Sequence, residues 1–380
     1  MEQNTENSNR FEVVSYDKIK HLNLFLNNIV YRGFHIHNEL ELLCVFRGSC
    51  TIVARGNAIE AKAGSVVLVG HNVVHAIRAD GGADFLVVQI SRHILGEYFP
   101  ALKTTYFEAF DLAAALPAGE RARLWGHLYR LARHYIEGDA LYQLHCIAAA
   151  AELLCAVYRN APHSSVYNTA DYLARKRAEQ RIARICETIN DNYDGKITLT
   201  EIAEAEGLTP TYLSHFFRDH FGVSFQEYLN NVRFDNALRL IADKQLSMNE
   251  IAALCGFSEV KYMAKMFRKR FNCTPREFSR RRPAPARGVL RDEETGESIY
   301  APAESLRLLE QYVLPFTKIG GDKPNGCPRH KSAPHPRRAP LHQNIRPRVH
   351  RTRGLFYCRT SSSVAAFISA SFHSCGQMVS

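Results

Sequence analysis

The sequence lacks an apolar run long enough to cross a bilayer. Its most apolar stretch, residues 147–158, falls short of the roughly 20 residues that a membrane helix needs, and it contains Glu152. Residues 1–10 are polar and include no apolar signal segment. We therefore expect a soluble protein of the cytoplasm with no membrane partner.

The cysteines lack the spacing of a metal or redox motif. All ten are scattered along the chain, and no two of them form a C-x-x-C pair. Cysteines used in this way are typical of small buried side chains in a reducing compartment. They therefore agree with the expected cytoplasmic location.

Acidic residues are absent from the end of the chain. Residues 323–380 contain ten Lys and Arg but no Asp or Glu, so they account for the whole net charge of +10, and the rest balances at 38 basic and 38 acidic groups. Total charge is therefore a poor argument for nucleic-acid binding. The local charge is a better one, because residues 256–282 hold nine basic residues against Glu259 and Glu277. Such a run is often only a solvated face, but this one covers and follows a helix of the repeat described next.

At 380 residues the chain is long enough for two or three domains, and residues 197–275 contain an internal repeat. Each copy predicts a short helix, a glycine turn and a second helix, which is a helix-turn-helix. The recurring residues, 49 positions apart and then 50, are Glu201, Ile202, Ala203 and Gly207 with Glu250, Ile251, Ala252 and Gly256, followed by Tyr212, Phe217, Arg218 and Phe221 with Tyr262, Phe267, Arg268 and Phe271.

Both modules have the residues that this motif requires. The glycines suit a turn with positive φ, and Thr209 and Ser258 suit the N-cap of each second helix. Residues 225–242 predict one long helix that joins the modules rigidly. Two helical hairpins without a ligand are the less favoured alternative. The side chains expected to fill the two cores are Leu213, Phe216 and Phe217, then Met263, Met266 and Phe267.

The first part of the chain predicts a small β-barrel or jelly roll. Turn signals such as Asp80-Gly81-Gly82 separate closely spaced strand-like stretches. These stretches cover residues 11–14, 40–46, 50–54, 65–69 and 85–90.

Residues 98–178 predict helices, at 98–116, 120–138 and 139–160, with Asp139 as the N-cap of the third. A heptad-like seam of apolar residues in the third helix is either ordinary core or a subunit contact. It consists of Leu144, Ile147, Ala151, Leu154 and Tyr158.

The composition of residues 161–168 predicts a linker, and the next helix is expected over 181–193. Residues 291–312 predict one more helix, and the composition beyond residue 323 predicts disorder.

Two family resemblances rest on these motifs. Residues 182–282 resemble the DNA-binding domain of AraC/XylS-type transcription regulators, through Ile251-Ala252, Gly256-Phe257 and the run 267–275, with 225–229, Arg233 and Ala237 between the modules. Met263 and Asn272 stand where that family commonly has an aromatic residue and a glycine.

The strand-rich first part of the chain resembles the two cupin motifs. Gly70 replaces the usual proline, and Asn72 replaces the usual glycine. The matching residues are His35, His37, Glu41, Gly48, Gly64, His71 and His75.

The resemblances imply a multidomain α+β protein, with an N-terminal cupin-like β-barrel (jelly roll) plus helices and a C-terminal all-α domain of two helix-turn-helix motifs. We expect an effector-binding barrel over 1–97 and a helical dimerisation or coupling segment over 98–170. The DNA-binding domain is expected over 171–282, with its motifs near 198–222 and 247–272. Residues 283–380 are expected to be an atypical, largely disordered tail, either a non-specific nucleic-acid tail or an extension without function.

The resemblances also imply roles for particular residues. In metal-binding cupins the positions of His35, His37, Glu41 and His75 converge on one ion, and such a set suits zinc, iron or manganese. AraC-type sensor domains often keep such histidines without a metal, so we expect these four to line an effector pocket and expect no cofactor.

The resemblance to AraC-type regulators also implies DNA contacts. Base-reading residues are expected at Thr211, Ser214, His215, Val260, Lys261, Tyr262 and Lys265. Phosphate contacts are expected at Arg218, Arg268, Lys269 and Arg270.

The favoured function is a sequence-specific, non-enzymatic transcription regulator that binds double-stranded DNA. The expected partners are a small-molecule effector, for which sugars are one class, a second copy of the chain, and RNA polymerase if the protein is an activator. One alternative is a metal-dependent cupin enzyme fused to a DNA-binding module. A third class is an architectural DNA-binding protein that works without an effector.

Overall fold

The computed structural model describes residues 11–12, 14–166, 168–241, 246–281, 289–291 and 298–318. The strands are β1 Phe11–Glu12, β2 Leu22–His37, β3 Glu39–Arg47, β4 Ser49–Ala54, β5 Asn57–Lys62, β6 Val66–Val69, β7 His75–Ser91, β8 Thr105–Phe107, β9 Phe110–Asp111, β10 His163–Ser165, β11 Val289–Arg291 and β12 Ser298–Tyr300. The helices are α1 Leu112–Ala115, α2 Ala118–Glu137, α3 Tyr142–Asn160, α4 Thr169–Asp191, α5 Leu199–Ala205, α6 Pro210–Phe221, α7 Phe225–Leu240, α8 Met248–Leu254, α9 Val260–Phe271, α10 Pro275–Arg281 and α11 Pro302–Leu308.

The long strands β2, β3 and β7 form the wall of an N-terminal barrel. β7 pairs antiparallel with β2, β3 and β4, β3 continues the sheet to β6 and β9, and β4 forms a hairpin with β5. Apart from the short parallel pair of β1 and β2, these ladders are antiparallel. The predicted β-barrel is confirmed.

Alternation along the strands sends polar side chains into the barrel. On β3, Leu40 and Leu42 pack outward against the helices, whereas Leu43 faces the inner core and Glu41 shares its face. β2 carries two register shifts, between Ile29 and Tyr31 and between Arg32 and His35. Because such bulges redirect side chains, the end of β2 presents one face to the barrel interior and the other to the C-terminal domain.

Residues 98–116 do not form the predicted helix. They contain a 3₁₀ turn at Pro100–Lys103, the strands β8 and β9, and then the short helix α1. The sequence Thr104-Thr105-Tyr106-Phe107 is β-branched and aromatic, which favours a strand once a partner is available. That partner is β10, which lies within the predicted linker.

The two predicted helices that follow are present, with corrections at their ends. α2 ends at Gly138 in the left-handed conformation. α3 starts at Tyr142, so Asp139 is not its N-cap; its carboxylate accepts a hydrogen bond from the Leu141 amide instead. On the predicted seam of α3, Leu154 is buried, Ile147 is partly buried and packs against the same core, and Leu144 is 69% exposed.

The C-terminal domain consists of two helix-turn-helix modules, α5–α6 and α8–α9, joined by the long helix α7 as predicted. Gly207 and Gly256 take positive φ at the two turns. Of the predicted core residues, Met266 is only partly buried and the other five are buried: Leu213, Phe216, Phe217, Met263 and Phe267. α4 is one helix from Thr169, longer than the predicted 181–193, and Asn168 caps it.

The predicted helix caps are right in one module and wrong in the other. Thr209 caps α6 by accepting the amide of Tyr212. Ser258 does not cap α9, because the N-cap position is one residue later, at Glu259, whose carboxylate pairs with Lys261 at 2.7 Å. At its other end α9 stops at Asn272, which adopts the left-handed conformation.

After the second module the chain returns to the barrel. β12 pairs with β2, and Leu309 and Val313 are buried in the core that α2 and α3 share with the sheet. Phe316 stacks on Trp125 with ring centroids 4.7 Å apart. The prediction of a disordered tail from residue 283 is therefore wrong for residues 298–318, and a hairpin, α11 and a π turn replace the single predicted helix. The disorder predicted beyond residue 323 lies outside the described residues.

Two expectations from composition can be compared with the described residues. None of the helices there combines the length and hydrophobicity that a bilayer crossing requires. The seven cysteines among those residues are free thiols, and all but Cys155 are buried.

Candidate functional site

The second helices of the two modules expose most of the predicted base-reading residues. On α6, Thr211 and His215 are exposed and Ser214 is partly buried. On α9, Lys261 and Lys265 are exposed and Val260 is partly buried. The exposed faces therefore present hydroxyl, imidazole and ammonium groups, which can meet base edges.

Two tyrosines occupy matching positions on these helices. Tyr262 is 48% exposed, and the ammonium of Lys261 lies 5.1 Å from the centre of its ring. Tyr212, 50 positions earlier, is 52% exposed. Tyr212 was not among the predicted site residues, although the repeat places it in register with Tyr262.

Three of the four predicted phosphate-binding residues are exposed, namely Arg218, Arg268 and Lys269. Arg270 is the exception, with a side chain that is 14% exposed. Its guanidinium donates to the Tyr31 hydroxyl and to Asn231, and lies 3.7 Å from the Asp235 carboxylate. Arg270 therefore points toward the barrel and α7, and the structure does not place it with the other phosphate-binding candidates.

The repeated glutamates Glu201 and Glu250 have a structural role that the sequence analysis did not assign. Each accepts the N-cap amide of its helix, from Thr198 and Ser247, and each N-cap hydroxyl accepts the glutamate's own amide in return. These capping boxes fix the start of both first helices. The S/T-x-x-E spacing in both copies of the repeat is the sequence pattern that predicts such a capping box.

The four polar residues of the cupin-like motifs meet inside the barrel. His35 and His37 come from β2, Glu41 from β3 and His75 from the start of β7, and all four are buried. One ligand atom from each lies within 4.8 Å of those of the other three. We call His35, His37, Glu41 and His75 the barrel cluster.

Backbone contacts orient two of the imidazoles. His35 and His75 each place Nδ1 at 2.9 Å from a carbonyl two residues earlier, that of Gly33 and of Val73. The Nδ1 proton is therefore donated to the backbone, and Nε2 is left to face the cluster. Gln89, on β7, was not predicted; its amide donates to Glu41 at 3.0 Å.

The charges in the barrel cluster are coupled through Glu41. Burial alone would raise the pKa of Glu41, but the neighbouring His37 outweighs it and holds that pKa well below its usual range. Burial would likewise lower the pKa of His37, yet the Glu41 carboxylate raises it to about 9. Burial and the nearby His75 hold the pKa of His35 well below its ordinary value. The cluster therefore holds an anionic carboxylate that attracts a proton or another cation.

The far end of β2 carries the contact between the barrel and the C-terminal domain. Phe34, Ile36 and Val74 are buried in one core with the first module. Gly33 lies so close to α7 that a Cβ there would stand 1.8 Å from the carboxylate of Asp235. The residues of this contact alternate along the chain with the histidines of the barrel cluster.

Comparison with known proteins assigns both halves of the chain. Residues 202–281 match the family model of a helix-turn-helix domain, and residues 36–157 match that of an AraC-binding-like domain. The chain belongs to the AraC-type family of transcription regulators. It is 22% identical over 276 residues to an uncharacterized HTH-type transcriptional regulator of Staphylococcus aureus, a match that covers 73% of this chain and 35% of that protein. The chain therefore spans about a third of the length of that relative.

Two further proteins are similar to parts of the chain. YpdC of Escherichia coli, also an uncharacterized HTH-type transcriptional regulator, is 33% identical over 117 residues, 31% of this chain and 41% of that protein. The solved structure of ToxT from Vibrio cholerae is 15% identical, with a TM-score of 0.39, over 68% of this chain and 97% of that one.

Proposed function

We propose that the chain is a sequence-specific, DNA-binding transcription regulator of the cytoplasm, controlled by a small effector bound in the barrel. The observation that carries this proposal is the pair of recognition helices. α6 and α9 expose matched sets of polar and basic side chains, and α7 joins their modules through packed cores. Two such helices can read neighbouring turns of one duplex, about 34 Å apart.

The exposed residues divide into two chemical roles. Lys265, in the middle of α9, is placed to meet base edges, whereas Arg268 near its C-terminal end is placed to meet phosphates. Base contacts discriminate between sequences, but phosphate contacts bind all sequences alike. The two side chains should therefore be separable by the kind of affinity that each one supplies.

The test begins with selection of a duplex from random sequence by the full chain. Lys265→Ala should weaken binding to the selected site by roughly 1–3 kcal/mol and leave binding to random DNA nearly unchanged, whereas Arg268→Ala should weaken both alike. Glu204→Ala, an exposed change on the first helix α5 rather than on a recognition helix, is the control. Failure to enrich any sequence would refute the function, and equal losses for both variants on both kinds of DNA would refute the division of roles.

The effector site is the barrel cluster, which lies directly behind the contact with the C-terminal domain. An effector that binds two arrangements of the domains with different affinities would shift the population between them. A polar ligand with several hydroxyls, such as a sugar, suits imidazole and carboxylate partners. The fatty acid named in one ToxT structure belongs to that protein, and the buried charges of this barrel do not favour a wholly apolar ligand.

A second copy of the chain is the proposed partner of the exposed side of α3. Leu141, the N-cap residue of α3, and Leu144 are 56% and 69% exposed, and Cys155, three helical turns after Leu144, is also exposed. Leu144→Glu should convert a dimer to a monomer in sedimentation equilibrium without loss of helicity. A wild-type monomer at micromolar concentration would contradict this part of the proposal.

A further inference from the structure

We propose that the turn between α2 and α3 binds one divalent first-row transition-metal ion, held by His134, Asp139 and His145, and that this ion strengthens the contact between two copies of the chain. We call these three residues the hairpin site. Binding of the ion is independent of the functions proposed above. Its effect on self-association rests on the second copy proposed as the partner of α3.

The path of the chain brings the three donors of the hairpin site together. His134 lies in the last turn of α2, Asp139 follows the residue that ends this helix, and His145 lies in the first turns of α3. The helix ends at Gly138, whose left-handed conformation lets the chain turn sharply. One donor atom from each of the three side chains lies within 4.8 Å of the other two.

The donors are spaced so that small movements would place them on one ion. His134 Nδ1 lies 3.2 Å from Asp139 Oδ2, and two donors that are each about 2.1 Å from a tetrahedral ion stand about 3.4 Å apart. The imidazoles of His134 and His145 stack with ring centroids 4.3 Å apart and planes 17° apart. All three side chains are exposed or partly exposed, so rotation about their side-chain bonds can close the remaining distance.

The backbone orients the carboxylate of the hairpin site. The Leu141 amide donates to Asp139 Oδ1 at 2.8 Å, and the other oxygen, Oδ2, faces His134. Carboxylates that bind metal ions are commonly held by such an outer hydrogen bond. One oxygen is therefore fixed by the turn, and the other is available to an ion.

The charges around the turn leave a place for a cation. Glu137 pairs with Arg133 at 2.9 Å, and Glu152, on α3, pairs with Arg130 at 2.8 Å. No lysine or arginine of the described residues forms an ion pair with Asp139, whose partner is an imidazole. A metal ion would supply at this carboxylate the positive charge that arginine supplies at the two glutamates.

The types of donor indicate which ion the hairpin site would take. Two imidazoles and one carboxylate suit zinc, iron or manganese, whereas a calcium or magnesium site would use oxygens and a copper(I) site would use sulfur. A neutral imidazole carries a free lone pair, which is what such an ion binds. Three protein ligands leave a fourth position open on a tetrahedral ion.

The hairpin site adjoins the surface proposed as the subunit contact. Leu144 directly precedes His145, and Leu141, which donates its amide to Asp139, is the N-cap residue of α3 and makes no side-chain cap. An ion that joins the end of α2 to the start of α3 would fix the backbone that carries both exposed leucines. Because association otherwise has to order this segment, fixing it beforehand favours the dimer.

The binding test titrates the full chain, freed of metal by a chelator, with Zn²⁺ in a calorimeter. The barrel cluster is the same in every variant, so the measured quantity is the difference from the wild type. Loss of an outer contact alone costs metal affinity roughly 10–100-fold, so loss of a ligand in His145→Ala should weaken one equivalent by about 100-fold or more. Asp139→Asn keeps an oxygen for the Leu141 amide but loses the anionic ligand, and it should weaken the same equivalent.

His127→Ala is the matched control for the binding test. His127 lies on the same helix and also faces a carboxylate, that of Glu152, but Arg130 already pairs with this carboxylate and no third donor among the described residues joins them. The variant should bind Zn²⁺ like the wild type. Circular dichroism checks folding, and Asp139→Asn keeps the test valid if His145→Ala does not fold. Equal zinc binding by the wild type and both site variants, or equal weakening in His127→Ala, would overturn the site.

The second test measures self-association by sedimentation equilibrium with and without saturating Zn²⁺. The ion should lower the dimer dissociation constant of the wild type by about 5-fold or more and leave that of His145→Ala unchanged. Zinc bound at the hairpin site without a change in self-association would overturn the ion's effect on the contact. A chain that binds zinc there but stays monomeric throughout would leave the site intact and overturn the proposed second copy instead.

Discussion

The guanidinium of Arg270, near the end of the second recognition helix, donates to the hydroxyl of Tyr31 on barrel strand β2 and lies 4.8 Å from the centre of its ring. The same guanidinium lies 4.3 Å from the ring centre of Phe234 and faces Asp235 on α7. One basic side chain thus joins the barrel, the connecting helix and the second module. Its neighbours Arg268 and Lys269 stay exposed.

Arg270→Ala should therefore reduce stability rather than phosphate binding alone. The substitution removes a cation from the buried Asp235 carboxylate, and loss of one partner of a buried pair costs roughly 3 kcal/mol. Lys269→Ala, one residue earlier and exposed, should change the free energy of unfolding by less than about 0.5 kcal/mol. Urea denaturation of both variants is the measurement. Equal and small effects would show that Arg270 is an ordinary surface arginine.

Gly33→Ala should separate the barrel from the C-terminal domain without unfolding either. The new Cβ would stand 1.8 Å from an Asp235 oxygen, so the buried Asp235 side chain has to move and the contact around it is disturbed. In differential scanning calorimetry we expect one transition for the wild type, because the barrel and the C-terminal domain share a packed core, and two transitions for Gly33→Ala. Gly126→Ala, inside α2 with no neighbouring atom within 4 Å of the added Cβ, is the matched control and should keep one transition. A single transition in Gly33→Ala at the wild-type temperature would contradict the proposed coupling.

The sequence predicted those features that short stretches determine. Gly207 and Thr209 act within their own turn, and the four residues of the barrel cluster are set by motif spacing along three strands, so both could be predicted. Arg270 could not, because its partner Tyr31 is 239 positions away and nothing local distinguishes it from Arg268. Residues 104–107 were predicted as helix because their strand partner, β10, lies far along the chain.

The segment 298–318 was missed for the same reason. Its apolar residues indicated a helix, but only the barrel surface shows where they pack. Leu309 is 1% exposed and belongs to the same core as Trp125 and Leu128. Long-range burial of this kind leaves no periodic signal beyond the segment itself.

Leu309→Ala should consequently destabilise the barrel. Truncation of a buried leucine costs about 2–5 kcal/mol, whereas the same change at Leu254 on α8, which is 52% exposed, should cost less than about 0.5 kcal/mol. Chemical denaturation followed by Trp125 fluorescence reports on this core, because Trp125 is the only tryptophan of the chain and stacks on Phe316. If Leu309→Ala and Leu254→Ala unfold alike, residues 298–318 are not part of the barrel core.

Acidification should weaken the folded state through His220 on α6. Burial, reinforced by the positive charge of Arg55 on the barrel and opposed by Asp219, lowers the pKa of His220 to about 4. Between pH 6.5 and pH 4 the unfolded chain therefore binds a proton at this position that the folded chain does not, so stability is fully present above pH 6.5 and falls as the pH approaches 4. Burial also lowers the pKa of His35 and His71, whereas the pKa of His37 is raised, so these groups add pH dependence of both signs. The measurement is therefore the difference between the wild type and His220→Gln in urea midpoint at pH 7 and pH 4.5. The wild type should lose more of its midpoint than the variant, and identical losses would mean that His220 titrates normally in the folded protein.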